Sequence, residues 1–239
     1  MAIEFRPLPR LTIATVIAFA ILVALGVWQL ERLQWKRALI AEANANVSAP
    51  ALSLAEMTRL GAEKAQYHRV AVTGRFDNSK EAYIFTTGDQ GDPVYHVVTP
   101  LMLADGRALL IDRGYIPLAL RDPTARAAGL PQGEHRVVGV WRTPDAVGFF
   151  TPQADKAMRV WYARDVAAIA KADRVVLAAP VIVEADATAN PGGWPKGGQT
   201  VVQFRNEHLQ YAITWFALAA ALLGVYLAYH RSRGRLNFR

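Results

Sequence analysis

Two long runs of residues without a charged side chain constrain this sequence more than any other feature. Residues 11–30 and residues 209–229 contain no Asp, Glu, Lys or Arg. With a rise of about 1.5 Å per residue, a helix of either length would reach across the ~30 Å hydrocarbon layer of a bilayer. Core helices of soluble proteins seldom lack a polar face over this length. We therefore predict two transmembrane helices and not a pair of buried core helices.

A cleaved signal peptide is the main alternative for the first run. Arg6 and Arg10 precede it, and residues 43–45 have the Ala-Asn-Ala pattern of a cleavage site. However, the apolar run exceeds the roughly 7 to 15 residues of a signal sequence. The charged stretch 31–37 also separates it from that site. We therefore expect the first helix to remain as a membrane anchor.

The net charge of +7 is concentrated at the two ends of the chain. Residues 1–10 carry a net +1 and residues 231–239 a net +4, which leaves only +2 for the residues between them. A nearly neutral middle section argues against a nucleic-acid-binding protein. Because basic flanks tend to stay in the cytoplasm, we expect both termini there and the middle of the chain in the periplasm.

Between the apolar runs the sequence predicts a β-rich α+β domain, antiparallel and shaped as a barrel or a sandwich. The Ser-Leu-Ala-Glu stretch at 53–56 has the form of a capping box at the start of a helix. Helices are also predicted after Asp122 and Asp165, and Asp105-Gly106 is typical of a hairpin turn. Strands are predicted at residues 67–73, 81–87, 95–103, 108–115, 135–142, 159–162, 175–184 and 201–204.

These elements divide the chain into five parts. We expect a cytoplasmic tail at 1–10, a transmembrane helix at 11–30, a periplasmic domain with its membrane-proximal flanks at 31–208, a second transmembrane helix at 209–229 and a basic cytoplasmic tail at 230–239.

The chemistry that the sequence offers is sparse, and we do not expect an enzyme. The absence of cysteine excludes disulfides, thiol redox chemistry, Cys-ligated zinc and iron–sulfur clusters. Motifs of serine hydrolases, zinc peptidases and phosphate-binding loops are also lacking. Asp105, Asp112, Asp122 and Asp165 are interpreted as capping and turn residues. Asp112 and its neighbour Arg113 end a predicted strand, where we expect a structural ion pair.

The histidines are the remaining candidate ligands: His68, His96, His135, His208 and His230. The first three lie at strand positions without a partner two or four residues away, so a metal site in the domain is not expected. His230 lies among arginines, where it would contact lipid head groups. His208 lies at the opposite end of the second apolar run, on the helical face that carries Tyr211 and Trp215.

His208 has two interpretations from the residues alone. One neutral imidazole nitrogen can bind a haem iron while aromatic and apolar side chains hold the porphyrin ring. Alternatively, the histidine packs against Trp28 or Gln29 of the first helix and binds no cofactor. The residues alone favour the second interpretation, because a single histidine at a membrane interface is common.

Several stretches of the sequence carry a resemblance to a known family. Residues 25–36 read LGVWQLERLQWK, residues 91–101 GDPVYHVVTPL, residues 108–117 ALLIDRGYIP and residues 206–216 NEHLQYAITWF. In these stretches the chain resembles the Surfeit-locus family of cytochrome c oxidase assembly proteins, whose members have two membrane spans flanking a domain outside the inner membrane. The resemblance extends over almost the whole chain. It departs from the family at 115–116, where Tyr-Ile replaces Trp-Val.

The resemblance implies a biogenesis factor that binds haem a at the outer membrane surface and assists its insertion into subunit I of haem–copper oxidase. Haem a would be a transiently bound cargo. His208 would be the axial ligand of its iron, with Tyr211, Trp215, Trp28 and Gln29 around the ring. The implied partners are oxidase subunit I, haem a synthase and the lipid bilayer.

The sequence also indicates where in the cell the protein lies and which functions other than haem insertion it could have. No mitochondrial presequence precedes the first span, so we expect a multi-pass protein of the bacterial inner membrane. The alternative function is an assembly scaffold that stabilises an oxidase intermediate without binding haem. A copper chaperone is not expected, because a chain with no cysteine and 4 scattered methionines offers no soft-metal site.

Overall fold

The computed structural model describes residues 3–61, 64–88, 90–200 and 206–238. The chain forms two compact units: a helix pair built from its two ends, Met1–Glu42 and Gln203–Arg239, and a central domain, Ala43–Val202. The helices are α1 (Pro9–Ser48), α2 (Leu54–Leu60), α3 (Val166–Asp173) and α4 (His208–Ser232). The strands are β1 (Ile3–Phe5), β2 (Leu52–Ser53), β3 (Arg69–Phe76), β4 (Ala82–Thr87), β5 (Pro93–Met102), β6 (Ala108–Pro117), β7 (Glu134–Arg142), β8 (Val160–Trp161), β9 (Leu177–Ala185) and β10 (Leu236–Phe238).

Two of the helices, α1 and α4, are long and apolar enough to cross a membrane, as predicted. Only 11% of the apolar window of each is buried inside the protein, so neither is the core helix of a soluble domain. α1 continues past residue 30, the predicted end of the span, as far as Ser48. Residues 31–48 are rich in good helix formers and contain neither Pro nor Gly, so nothing in them ends the helix.

α1 and α4 approach each other closely at Gly26. The two helices run antiparallel, because Gln29 and Thr12 of α1 contact residues near the start and near the end of α4, respectively. The ring of Phe216 on α4 faces Gly26, and a Cβ atom at position 26 would lie 2.7 Å from two of its ring carbons. Small residues at a crossing point let helices approach in lipid. Gly26 therefore permits this contact between the helices.

We predict that Gly26→Val destabilises the helix pair by about 1 to 3 kcal/mol, because the added side chain overpacks the contact with Phe216. Gly224→Val is the matched control, since a Cβ atom there would have no neighbour within 4 Å. Thermal unfolding of the detergent-solubilised chain measures both. Equal unfolding midpoints for the two variants would contradict the assigned helix contact.

The two ends of the chain pair as a short antiparallel ladder of β1 and β10. Ile3 lies opposite Phe238, and Phe5 lies opposite Leu236. The described parts of the predicted tails, residues 3–10 and 230–238, therefore lie together at one end of the helix pair. They are not free tails, because α1 begins at Pro9 and α4 continues to Ser232.

Five strands of the central domain close into a barrel in the order β3, β7, β9, β6 and β5. Closure comes from a second pairing of β3, whose Arg75 and Phe76 lie opposite Met102 and Leu101 of β5. β2 extends the sheet at β3, while β4 and β8 extend it beyond β5. Of the two predicted shapes, barrel and sandwich, the structure has the barrel.

One ladder of the barrel departs from the predicted antiparallel arrangement, since β6 and β9 pair in parallel. Parallel neighbours need a long crossover connection, which residues 118–176 provide with β7, β8 and α3. β6 is covered on both faces: Leu109 and Ile111 belong to the barrel core, and Leu110 packs in the cluster that contains Ile169 of α3. Strands buried on both faces read as continuous apolar runs, as residues 108–111 of β6 do.

Most of the local predictions for the domain are confirmed. β3 to β9 correspond in order to the seven strands predicted between residues 67 and 184. Residues 53–56 form the capping box of α2, and Asp165 caps α3. Asp122 also acts as a cap, but of a 3₁₀ helix, Pro123–Gly129. The strand predicted at 201–204 lies outside the described residues.

Candidate functional site

The candidate site lies where α4 begins, next to the C-terminal end of the apolar part of α1. His208 is the first residue of α4 and is half-buried. Its Nδ1 lies 2.7 Å from Oε1 of Gln29 on α1. Since an amide oxygen only accepts hydrogen bonds, Nδ1 carries the proton and donates it. In the neutral imidazole Nε2 then bears the lone pair, and it has no hydrogen-bond partner among the described residues.

The other residues expected around a haem lie near this contact but differ in exposure. Trp28, the neighbour of Gln29, is 49% exposed, and Tyr211 on α4 is 52% exposed. Trp215, one turn further along α4, is half-buried. The structure thus brings Gln29 and His208 into direct contact. In the described part of the helix pair, the aromatic ring contacts lie at its other end, around Phe5.

A second polar contact joins the helices at that other end. The hydroxyl of Thr12 lies 2.6 Å from the hydroxyl of Tyr226. Because the Thr12 hydroxyl donates to the backbone oxygen of Leu8, the Tyr226 hydroxyl is the donor between them. The two hydrogen bonds between the helices, Thr12–Tyr226 and Gln29–His208, lie about 26 Å apart along the helix axes at the α-helical rise. They therefore bracket a length close to the hydrocarbon thickness of a bilayer.

The prediction that His230 contacts lipid head groups is wrong, because its side chain is fully buried. Nε2 of His230 accepts a hydrogen bond from the backbone N–H of Leu8 at 3.3 Å. Nδ1 donates to the backbone oxygen of Tyr226 at 2.9 Å. Both ring nitrogens are therefore used inside the protein. Of the two histidines at the ends of α4, His208 has the available nitrogen.

The sequence did not predict a pair of titratable side chains that lies in the central domain. Nδ1 of His96 on β5 lies 2.8 Å from Oδ2 of Asp112 on β6. A bulge shifts the register between the strands here, and Gly114 supplies the unusual backbone with φ +109. A Cβ atom at Gly114 would lie 1.9 Å from the backbone oxygen of Lys196. An isolated glycine within a predicted strand is the signal that could have indicated the bulge.

Further charges surround this pair. Arg164 lies 3.0 Å from Glu184 and 3.2 Å from Asp145, and Arg142 lies 3.8 Å from Glu184. Together with His96, the two arginines line a cavity of about 450 Å³. Each carboxylate of the cluster faces a cation, as buried charges require.

Burial disfavours the charged form of both partners in the His96–Asp112 pair, but their mutual attraction outweighs it. Burial lowers the pKa of His96, yet the charge and hydrogen bond of Asp112 leave it raised above its ordinary value. Burial likewise raises the pKa of Asp112, while His96 and the N–H of Gly114 leave it lowered. The pair is therefore an ion pair at any pH between the lowered pKa of Asp112 and the raised pKa of His96.

We predict that the domain loses stability as pH rises through the folded-state pKa of His96. A histidine whose pKa is raised by folding stabilises the folded state fully at pH values below its pKa in the unfolded chain. This stabilisation is lost as the pH rises through the pKa of the histidine in the folded protein. Denaturant unfolding of the full chain, followed by Trp fluorescence at pH 6 and pH 8, measures the slope of the free energy of unfolding against pH. His96→Gln should flatten it, whereas His135→Gln should leave it unchanged. A slope retained by His96→Gln would assign the pH dependence to another group.

The predicted ion pair between Asp112 and Arg113 is wrong, because neighbours in a strand point to opposite faces. Arg113 is 2% exposed and lies 3.4 Å from Glu81, on the face opposite to His96. Arg126 contacts the same carboxylate at 2.5 Å. Burial lowers the pKa of Arg113 to about 10, against the opposing attraction of Glu81. These contacts fasten the 3₁₀ segment Pro123–Gly129 to the barrel, so the role they indicate is structural.

No group of three or more His, Asp or Glu side chains that could hold a metal ion occurs in residues 3–61, 64–88, 90–200 and 206–238. Asp105, Asp122 and Asp165 accept hydrogen bonds from backbone N–H groups at turns and helix starts, as predicted.

Comparison with known proteins finds similarity over the two helices and the domain together. Residues 16–220 match the model of the SURF1 family. Surfeit locus protein 1 of Mus musculus is 37% identical over 214 residues, covering 82% of this chain and 68% of the mouse protein. The SURF1-like protein of Monosiga brevicollis is 35% identical over 226 residues, covering 88% and 84%. The SURF1-like protein of Rickettsia felis is 29% identical over 227 residues, covering 93% and 98%.

Proposed function

This chain belongs to the SURF1 family, and we propose that it binds haem a through His208 and hands it to subunit I of haem–copper oxidase. Family membership supports a role in oxidase assembly. The observation that carries the haem proposal is the hydrogen bond between His208 and Gln29.

The chemistry of this hydrogen bond suits iron ligation. A histidine that ligates a metal usually donates its other ring N–H to a neighbouring oxygen, which fixes both the tautomer and the ring orientation. Gln29 Oε1 accepts that hydrogen bond at 2.7 Å, which leaves the lone pair of Nε2 for the iron. The neutral imidazole therefore needs no change of tautomer to bind a haem iron through Nε2.

The position of the imidazole suits the solubility of haem a. Its ring and farnesyl tail are too apolar to diffuse through water. His208 lies at the end of the apolar section of the helix pair, and the exposed Trp28 and Tyr211 offer flat apolar surfaces nearby. The tail and ring would remain in lipid and against these side chains while iron is held by a single imidazole.

A single protein ligand favours transfer over retention. Oxidase subunit I would take the haem by replacing one iron–imidazole bond with bonds to its own histidines. The chain would then act as a carrier and not as a catalyst, with haem a as its cargo. Haem a synthase is the proposed donor, because the cargo must arrive without passing through water.

For orientation we propose the inner membrane of a bacterium. The basic ends of the chain, paired through β1 and β10, would lie in the cytoplasm, where basic flanks are retained. The opposite end of the helix pair, with His208, would then lie at the periplasmic surface together with the central domain.

We predict that His208→Ala lowers the affinity for haem a by at least about 100-fold, because the iron ligand is lost. Gln29→Leu should lower the affinity by about 10- to 100-fold, which is the usual effect of removing the group that accepts a hydrogen bond from a metal-binding histidine. Gln29→Glu keeps an acceptor for Nδ1–H and should retain binding. Titration of haem a into the detergent-purified chain, followed at the Soret band, measures all three.

His135→Ala is the matched control for these variants. The ring of His135 bonds only the backbone oxygen of Gln132 in the described structure, so its removal should leave haem affinity unchanged. Helix content by circular dichroism verifies that each variant is folded. Wild-type affinity in folded His208→Ala would overturn the ligand assignment.

A further inference from the structure

The loop between β7 and β8 exposes two adjacent aromatic side chains. Phe149 is 96% and Phe150 93% exposed, and their rings touch edge to face with centroids 5.3 Å apart. A phenylalanine side chain can bury roughly 150 to 250 Å² when it packs. Two neighbouring phenylalanines that pack against nothing in their own domain indicate a contact with something else.

The loop holds these rings in place. They occupy the central positions of a turn in which the N–H of Thr151 donates to the backbone oxygen of Gly148 at 3.0 Å. The N–H of Gly148 donates in return to the hydroxyl of Thr151, also at 3.0 Å. At the base of the loop, Asp145 accepts hydrogen bonds from Arg164. The two phenylalanines are thus presented at the tip of a fastened loop.

The loop lacks charged side chains, as expected of a surface that contacts an apolar environment. Residues 146–154 contain no charged side chain. Val147, just before the turn, is 56% exposed. At the base of the loop, Asp145 lines a small cavity with Phe85 and Tyr162, which are themselves in edge contact at 5.9 Å and partly exposed. Two further aromatic rings thus lie near the base of the loop.

We propose that the tip formed by residues 147–150 inserts into the interfacial region of the lipid bilayer. The chain holds its domain between two membrane helices, since α1 precedes it and α4 follows it closely. The tether keeps the bilayer within reach of the domain at all times. Phenylalanine is among the side chains that membrane-surface segments bury at the boundary between head groups and acyl chains. The tip carries no charge, so its insertion has no cost of removing a charge from water. This proposal is independent of haem binding.

The shape of the tip favours lipid over a protein partner. Side chains more than nine-tenths exposed project outward and line no groove of the domain. A protein partner would need a complementary pocket for two rings, whereas the bilayer interface accepts a convex tip without matched shape. Because the tip is uncharged, its insertion should not depend on anionic lipid.

The absence of cysteine makes the test direct, because one introduced cysteine is the only labelling site. The full-length variants Phe149→Cys and Val176→Cys are labelled with the polarity-sensitive fluorophore NBD and reconstituted into vesicles. Val176 is 71% exposed and lies between α3 and β9, so it serves as the matched control. Each vesicle preparation contains phosphatidylcholine with or without phosphatidylglycerol, and with or without lipid carrying a doxyl quencher near its head group.

We expect the label at position 149 to emit at shorter wavelength than the label at 176 and to lose at least about half of its intensity to the doxyl lipid. Both vesicle compositions should give this result. An aqueous, unquenched label at position 149 would overturn the proposal. A label at position 149 that becomes shielded only after oxidase-containing membrane extract is added would also overturn the proposal. That result would show that the tip binds a protein partner.

Discussion

A chain that crosses a bilayer twice must satisfy its polar groups within its own helix pair, because lipid offers them no partner. The contacts between α1 and α4 meet this requirement at both ends, through Thr12–Tyr226 at one and Gln29–His208 at the other. Gly26 lets the helices approach between them. Without this pairing His208 would have neither a fixed tautomer nor a fixed position at the end of the apolar section. The proposed haem site therefore depends on helix packing and not on a pocket.

The central domain also provides partners for its buried charged groups, but through ion pairs. Its barrel encloses apolar side chains, and its buried carboxylates each face a cation, as in Glu81 with Arg126 and Asp112 with His96. These charges fasten neighbouring segments to the barrel, and breaking one partner would leave a buried charge uncompensated. The most exposed aromatic side chains in the described part of the domain are Phe149 and Phe150 at the tip formed by residues 147–150.

Local signals in the sequence predicted the elements that depend on neighbouring residues. The absence of charge indicated both membrane helices, and the capping box at 53–56 indicated the start of α2. Contacts between distant residues could not be read in this way. Barrel closure depends on two residue pairs between β3 and β5. The burial of His230 depends on Leu8, 222 residues away. For His208, the sequence placed Gln29 among its possible neighbours, but only the structure shows the hydrogen bond that decides the tautomer.

The central claim is that this chain carries haem a, and the haem content of the purified protein tests it most directly. The full-length chain, purified in mild detergent from cells that make haem a, should contain about one haem a per chain. The pyridine haemochrome spectrum gives this ratio. A chain that purifies without haem a while still bound to oxidase subunit I would contradict the account and identify a scaffold instead.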